Sequence, residues 1–372
     1  MSVDAVELSR ELLKIDTINP TSPERPCAER VGRILQEAGF SVAQHEFAPG
    51  RASIVARRDG PGDALCFCGH LDTVPLGAAP WTHHPFAGEL DQGRMYGRGS
   101  SDMKSGVAAM VAAAVALAKS SFRKAGLSLV LVAGEETGCE GSLHLARTAG
   151  ALGTASALVV GEPTGNVPVI GHKGALWLRA KTRGVTAHGS MPEKGKNAVV
   201  AAARAVLALS DFRFDVKPDP LLGSPTLNIG TFHGGLNVNS VPDEAVIGID
   251  IRTIPAQRHA ELRRQIQERL GSEVELLPIV DLEGIRTSED DPFIVGVRNA
   301  VEQATGERPE PGTATYFTDG SVLAKAYGGV PTVVLGPGEM ALCHQTDEYC
   351  RVDRIEQAVD AYVRIARDWC GA

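Results

Sequence analysis

LSLVLVAGEET, at residues 127–137, joins a continuous apolar run to two adjacent acidic residues. An apolar run of this length that stops at a glycine is typical of a buried strand in a parallel sheet. Four other short segments carry acidic or histidine residues where an apolar run ends or a helix-like run begins: GHLDT at 69–73, SDMK at 101–104, GEPT at 161–164 and CHQTDE at 343–348. Because α/β folds bind ligands at the carboxyl ends of their strands, we expect these five segments to meet in one cleft.

The length and charge of the chain limit the class of protein to which it can belong. At 372 residues it is long enough for two domains of roughly 150 residues or more. Its 43% hydrophobic and 22% charged residues are ordinary for a globular protein. The net charge is −8, and no run of Lys and Arg is dense enough to follow a nucleic-acid backbone. We therefore expect no nucleic-acid partner.

The sequence also predicts no membrane partner. The longest apolar run, residues 107–118, is well short of the roughly 20 residues that cross a bilayer. Residues 1–19 lack the apolar block of a signal peptide and have the spacing of an amphipathic helix. The seven cysteines show no disulfide-scaffold spacing, which is typical of a reducing compartment. The predicted location is the cytoplasm.

The order of strand-like and helix-like runs predicts an α/β fold. From residue 52 to 169 the two kinds of run alternate, which is the signature of a parallel sheet. After residue 171 the order becomes β-α-β-β-α-β, which describes a ferredoxin-like unit. The α/β pattern resumes near residue 288. We predict a mixed, mostly parallel sheet with helices on both faces, interrupted by an inserted ferredoxin-like α+β domain. The predicted boundaries are 1–171, 172–287 and 288–372, with the first and last parts forming one domain.

Two of the five segments suggest metal ligands. His70 and Asp72 follow a strand, and alternate residues of an extended chain share one face, so one can bind a metal while the other orients it. Taken alone, the pair also fits a loop histidine beside a solvated aspartate. Asp102 follows a glycine-rich loop and precedes a helix, where its two oxygens can bridge two cations. In isolation it fits a helix N-cap equally well.

The other three segments add four candidates. Glu135 and Glu136 are adjacent at a strand end, so one can bind metal while the other acts as a general base on water. An exposed Glu pair in a turn is the alternative. Glu162 and His344 each follow a strand, and a lone histidine there is more often structural. Five such segments in one chain together favour a site for two metal ions.

Four motifs resemble a known enzyme family. They are GHLDTVP at 69–75, YGRGSSDMK at 96–104, GEETG at 134–138 and GEPT at 161–164. They resemble the dinuclear zinc amidohydrolases that include acetylornithine deacetylase, succinyl-diaminopimelate desuccinylase, aminoacylase and glutamate carboxypeptidase, and are most similar to the first two. The resemblance implies a catalytic α/β domain interrupted by a lid, here residues 172–287, that forms a homodimer in many members.

The resemblance also implies roles for individual residues. It assigns His70 and Glu162 to one metal, Glu136 and His344 to the other, and Asp102 to the bridge between them. Glu135 becomes the general base, and Asp72 the partner that orients His70. A cis peptide bond is implied after Asp102. The expected cofactors are two divalent ions, with Zn²⁺ favoured and Co²⁺ or Mn²⁺ as substitutes, because His and carboxylate ligands suit these metals.

Three residues of the expected lid resemble substrate-contacting positions. His188 resembles a histidine that reaches the active site of a neighbouring subunit and stabilises the oxyanion. Asn239 and Arg252 resemble residues that hold the substrate, and an arginine fork suits a carboxylate. Without the resemblance, His188 fits an ordinary loop and Arg252 an ordinary surface strand.

The function that these features imply is hydrolysis of the amide bond of an N-acyl amino acid, of the deacetylase or desuccinylase type. The alternative within enzymes is a metallo-exopeptidase that acts on short peptides, since the same site can cut either amide. A non-catalytic metal-binding protein is the third interpretation, but such a chain is expected to have lost Glu135 or several ligands, and all are present. The expected partners are a small substrate and a second copy of the chain.

Overall fold

The protein was analysed as a computed structural model that describes residues 2–372. Met1, which belongs to the predicted first domain, lies outside the described residues. The chain folds as two compact units. The first comprises the residues up to Gly171 together with Arg286–Thr313 and Thr318–Ala372, and the second comprises His172–Ile285 and Ala314–Phe317. The role of the second unit as a lid stays a prediction.

Helices and strands alternate along much of the chain. In chain order the helices are α1 Ala5–Leu13, α2 Arg25–Glu37, α3 Ser105–Ala116, α4 Glu140–Arg147, α5 Ala198–Ser210, α6 His259–Leu270, α7 Pro292–Thr305, α8 Gly320–Ala326 and α9 Val352–Cys370. The strands are β1 Ser41–Ala48, β2 Arg51–Arg58, β3 Ala64–His70, β4 Glu89–Asp91, β5 Arg94–Tyr96, β6 Leu127–Val132, β7 Ala155–Val160, β8 Val169–His172, β9 Gly174–Arg183, β10 Thr226–Gly234, β11 Glu244–Thr253, β12 Val274–Leu282, β13 Ile285–Arg286, β14 Gly312–Ala314, β15 Thr332–Val334 and β16 Tyr349–Arg351.

A mixed sheet forms the centre of the first unit, in the order β1-β2-β6-β3-β7-β15-β8-β13, with β14 paired to β8. The neighbours β6, β3, β7 and β15 run parallel, whereas β2 runs antiparallel to β6. Every residue of β6 is buried, as expected for a parallel strand that is covered on both faces. The predicted fold class is therefore confirmed.

Helices cover this sheet in two groups. Helices α3 and α7 both pack against α9, and α3 and α9 contact β3, while α4 packs against α8. Helix α3 approaches the end of β7 closely, because a Cβ atom at Gly106 would collide with the backbone carbonyl of Gly161. This close approach brings the start of α3, just after Asp102, to the strand end that carries Glu162.

The second unit has the β-α-β-β-α-β order predicted for a ferredoxin-like fold. Its four strands form an antiparallel sheet in the order β10-β11-β9-β12. Residues of β11 alternate between buried and less buried, and the buried ones pack against α5 and α6. One face of this sheet is thus covered by helices, while the other carries polar side chains.

One small element was not predicted from the sequence. Strands β16, β5 and β4 form a separate antiparallel sheet. Each has three residues, which is too short for an alternating pattern to be recognised. The pairing matters because it aligns the segment before β16, which carries His344, with the loop after β5, which leads to Asp102.

Across residues 2–372, none of the helices combines the length and the apolar character that a membrane span needs. All seven cysteines are free thiols. The cytoplasmic location stays a prediction.

Candidate functional site

Adjacent strands bring the predicted ligands together. His70 is the last residue of β3, while Glu135 and Glu136 follow β6 and Glu162 follows β7. Because β6, β3 and β7 are neighbours that run parallel, their carboxyl ends meet at one edge of the sheet. Asp102 lies in the segment Ser100–Lys104, directly before α3, and its own backbone is not helical (φ −119°, ψ 93°).

The side chains form two groups that share Asp102. In the first group, His70 Nε2 lies 3.0 Å from Asp102 Oδ1 and 3.7 Å from Glu162 Oε2. In the second, His344 Nε2 lies 3.4 Å from Asp102 Oδ2 and 3.2 Å from Glu136 Oε2. The ligand atoms within each group all lie within 4.8 Å of one another. The two oxygens of Asp102 therefore face different histidines, as a bridging carboxylate requires.

These distances fit divalent metal ions. Two ligands of a tetrahedral ion, each about 2.1 Å from the metal, lie roughly 3.4 Å apart. The separations from the histidine nitrogens to the carboxylate oxygens run from 3.0 to 3.7 Å, on both sides of that value. Imidazole and carboxylate are also ligand types that such ions accept. The residues present therefore fit a pair of cations.

The backbone carbonyl of Asp72 sets the tautomer of His70. The carbonyl oxygen lies 3.0 Å from His70 Nδ1, and an oxygen of this kind can only accept, so Nδ1 carries the proton. In the neutral ring Nε2 then has a lone pair for a metal. The Asp72 carboxylate lies beside the same nitrogen, with its Oδ1 3.7 Å from His70 Nδ1. Its role in orienting His70 stays a prediction.

The Asp72 carboxylate also holds the loop after β6. Its Oδ1 accepts from the backbone N–H of Glu135 at 3.1 Å, and its Oδ2 accepts from the N–H of Glu136 at 3.2 Å. Oδ2 also accepts from the side-chain amide of Asn19 at 2.8 Å. A fully buried carboxylate thus fixes both glutamates, and Asn19 is a supporting residue that no sequence motif indicated.

The cluster contains more acidic groups than basic ones. Burial raises the pKa of Glu162 to about 8, although His70 acts against the shift. Hydrogen bonds with Asp102 and Glu136 raise the pKa of His344 to about 10. Burial alone would raise the pKa of Asp102, but hydrogen bonds from His344 and His70 hold it well below its usual range. Protons on the histidines thus compensate charge that two divalent cations would compensate more fully.

Glu135 lies beside the two ligand groups without belonging to either. Its side chain is buried, and burial together with the nearby Glu162 carboxylate raises its pKa well above the ordinary value. The thiol of Cys139 lies 4.0 Å from its Oε1. The chain thus brings one further carboxylate to the cluster, at the position predicted for the general base.

A buried acid, Asp319, was missed in the sequence. One residue before α8, it looks like a helix N-cap, yet its side chain does not cap the helix. Its Oδ1 accepts from the Ser142 hydroxyl at 2.7 Å, which ties α8 to α4. Burial raises the pKa of Asp319 to about 6, against the hydrogen bond from Ser142. Only the fold distinguishes this residue from an ordinary cap.

His188 and Asn239 lie side by side in the second unit. The backbone N–H of Gly189 donates to the Asn239 carbonyl at 2.8 Å, and a Cβ atom on Gly189 would lie only 2.9 Å from the Asn239 backbone. His188 Nδ1 accepts from the N–H of Ser190 at 3.2 Å. In the neutral ring this leaves the proton on Nε2, so His188 presents a donor, as its predicted oxyanion role needs.

Arg252 lies near the opposite end of β11 from Asn239. Its guanidinium donates to Asp250 Oδ2 at 3.2 and 3.3 Å and lies 5.8 Å from the ring centroid of Trp177. Arg252 lies eight residues after Glu244, the first residue of β11, which amounts to roughly 26 Å along the strand. Asn239 lies in the loop before Glu244, so Arg252 and the pair formed by His188 and Asn239 lie toward opposite ends of β11.

Comparison with known proteins identifies the family. The family model described as peptidase family M20/M25/M40 matches residues 66–368. The chain is 34% identical to the succinyl-diaminopimelate desuccinylase of Cereibacter sphaeroides (strain KD131 / KCTC 12085), over 99% of this chain and 100% of that one. It is 29% identical to the acetylornithine deacetylase of Vibrio atlanticus (strain LGP32), over 98% of each.

A solved structure agrees in fold. The M20 family metallo-carboxypeptidase Sso-CP2 from Sulfolobus solfataricus superposes with a TM-score of 0.82 at 17% identity, covering 99% of this chain and 100% of that one. The chain therefore belongs to peptidase family M20/M25/M40, and it is an enzyme of this hydrolase family. The resemblance seen in the sequence is confirmed. The peptide bond between Asp102 and Met103 is cis, as that resemblance implied.

The shared carboxylate predicts how metal binding responds to mutation. We expect the unaltered protein to bind two equivalents of Zn²⁺, a Glu162→Ala variant to keep one tight equivalent, and an Asp102→Ala variant to lose both tight equivalents. The reason is that Asp102 contributes an oxygen to each group, whereas Glu162 contributes to one. Calorimetric titration with Zn²⁺ measures this, and two tight equivalents retained by Asp102→Ala would contradict the bridge.

Proposed function

We propose that the protein hydrolyses the amide bond of an N-acyl amino acid, with two divalent metal ions, most simply Zn²⁺, bound by the two ligand groups. The main support is the geometry of Asp102, whose two oxygens face His70 and His344 at 3.0 and 3.4 Å. The buried carboxylate of Glu135 lies next to both groups, where a general base is needed.

In the proposed reaction the metal ions and the side chains of the protein have different roles. When bound, the two cations would activate a water molecule near neutral pH and polarise the substrate carbonyl. Glu135 accepts the proton of the attacking water on its carboxylate and then delivers it to the leaving amine. His188, through Nε2–H, donates a hydrogen bond to the developing oxyanion. Asp72 keeps Glu135 in position through its bond to the Glu135 N–H.

Arg252 is the residue that we propose binds the carboxylate of the amino-acid substrate. Arg252 lies on the face of the second unit's sheet, with Asp250 and the Trp177 ring orienting its guanidinium. A guanidinium held in this way can offer paired N–H donors to a carboxylate. A metallo-exopeptidase remains the second candidate function, because a free C-terminal carboxylate would satisfy the same arginine and the structurally similar Sso-CP2 is a metallo-carboxypeptidase.

An activity panel tests the proposed reaction. Purified, Zn²⁺-loaded protein is assayed on acetyl, succinyl and formyl derivatives of ornithine, diaminopimelate, aspartate, glutamate and methionine, and in parallel on dipeptides. We expect the highest kcat/KM on an acyl amino acid and loss of activity with a chelator that Zn²⁺ reverses. A higher kcat/KM on dipeptides would favour the exopeptidase. No chelator-sensitive turnover on any substrate would reject both.

Glu135 should be essential for turnover but not for metal binding. A Glu135→Gln variant keeps the shape of the side chain and both ligand groups, so we expect it to bind two metal ions and to lose about 100- to 10,000-fold in kcat. Glu140→Gln is the matched control, since Glu140 is exposed at the start of α4 and should leave kcat unchanged. A fully metallated Glu135→Gln enzyme with normal kcat would show that another group accepts the proton.

We further propose that the active protein is a homodimer that assembles through the second unit. The support is the distance of roughly 26 Å along β11 that separates Arg252 from the end next to Asn239. In the proposed dimer, the second copy supplies His188 and Asn239 to the substrate that Arg252 holds. The exposed apolar side chains of this unit fit such an interface: Val200, Leu207, Leu236 and Val238.

Mixing two inactive variants tests whether His188 acts across subunits. His188→Ala and Glu135→Gln chains are co-expressed with different tags, and the doubly tagged heterodimer is purified. One of its two sites then combines an unaltered Glu135 with an unaltered His188 from the other chain, so we expect activity well above that of either homodimer. A heterodimer as inactive as both parents would show that His188 serves its own chain.

A further inference from the structure

Two fully buried charged residues lie behind the proposed metal site, and the mechanism does not use them. Arg98 is 1% exposed and Glu348 is 0% exposed, and Arg98 Nη1 donates to Glu348 Oε2 at 2.6 Å. Arg98 belongs to the loop that leads to Asp102, and Glu348 follows His344 by four residues. The ion pair therefore joins the two segments that carry the bridging ligand and the second histidine.

The Glu348 carboxylate holds the backbone around Asp102. Its Oε1 accepts from the N–H groups of Ser101 at 2.8 Å and of Asp102 at 3.0 Å. Its Oε2 accepts from the N–H of Gly99 at 3.1 Å, in addition to Arg98. Four donors thus converge on one buried carboxylate, and one of them is the N–H of the bridging residue itself.

The Arg98 guanidinium holds the backbone around His344. Nη1 also donates to the carbonyl of Gln345 at 3.2 Å, and Nη2 donates to the carbonyl of His344 at 3.4 Å. The guanidinium carbon lies 5.1 Å from the Trp81 ring centroid, so an aromatic face keeps the plane in place. Arg98 therefore links the Glu348 carboxylate to the backbone of the second histidine.

The backbone of His344 needs such support. Its φ angle is +63°, in the left-handed region that a residue with a Cβ atom occupies only when its surroundings hold it there. The imidazole is half exposed, so packing alone restrains it weakly. The bonds from Arg98 to two successive carbonyls supply part of the restraint that the surroundings must provide.

We propose that Arg98 and Glu348 form a positioning pair that sets the placement of Asp102 relative to His344, and through it the affinity of the site for two metal ions. The inference rests on the metal site of the proposed function, but not on the identity of the substrate. Neither residue touches the ligand atoms, so both act through the backbones that they hold. The competing explanation is an ordinary buried ion pair that contributes to stability alone.

The test measures Co²⁺ binding rather than catalysis. A Glu348→Gln variant replaces one acceptor oxygen by an N–H₂ donor that faces backbone donors. We expect Co²⁺ affinity to fall by about 10- to 100-fold, the usual effect of removing a partner of metal ligands. The visible spectrum of the bound Co²⁺ should also change, because the ligands shift. Titration of the folded, metal-free protein with Co²⁺ gives both readouts.

A control and a double variant separate positioning from stability. Asp281→Ala removes the part-buried hydrogen bond to His259 in the second unit and should lower the melting temperature without changing Co²⁺ affinity. Arg98→Met combined with Glu348→Gln leaves no unpaired buried charge, so it should regain much of the stability that Glu348→Gln loses. It should not regain the Co²⁺ affinity, because the backbone bonds are still missing.

The outcomes are exclusive. Loss of Co²⁺ affinity in Glu348→Gln and in the double variant supports the positioning pair. If Glu348→Gln does not fold, the Co²⁺ affinity of the double variant is the deciding measurement. Unchanged Co²⁺ affinity and spectrum in folded Glu348→Gln or in the folded double variant would overturn the positioning role of Arg98 and Glu348. A wild-type protein that binds Co²⁺ but hydrolyses no substrate would reject the proposed function and leave this inference standing.

Discussion

Mutual repulsion between carboxylates is the constraint on which the site depends. Asp102, Glu135, Glu136 and Glu162 gather around two imidazoles near the carboxyl ends of parallel strands, and Glu135 and Glu162 are buried. Ionised carboxylates at such distances destabilise one another unless positive charge lies between them. Burial is the main cause of the raised pKa of Glu162, with the Asp102 carboxylate adding to it, and hydrogen bonds with Asp102 and Glu136 raise the pKa of His344. A pair of cations would relieve the repulsion, and the two groups of side chains offer suitable ligands for them.

The fold holds these charges in place with backbone contacts rather than with side-chain packing alone. The Asp72 carboxylate accepts hydrogen bonds from the backbone N–H groups of Glu135 and Glu136. The Glu348 carboxylate accepts one from the backbone N–H of Asp102. In both cases a buried carboxylate that is not itself a ligand accepts several backbone donors. Such bonds to a charged acceptor are stronger than those between neutral groups, which suits loops that must keep like charges close together.

Much of this arrangement was visible in the sequence, because it follows from strand ends. Apolar runs followed by His70, Glu135 and Glu162 predicted both the parallel sheet and the edge at which the residues meet. Arg98, Glu348 and Asp319 were not recognised, since a charged residue in a loop looks exposed until the fold buries it. Their burial depends on pairings between distant segments, such as three-residue β5 with β16, that leave no periodic pattern in either segment.

The two histidines differ in their contact with solvent. The His70 side chain is 1% exposed, whereas that of His344 is 53% exposed. An ion beside His70 would have a histidine ligand that is shielded from water, while one beside His344 would have a histidine ligand that water reaches. The two positions would therefore exchange their ions with solvent at different rates.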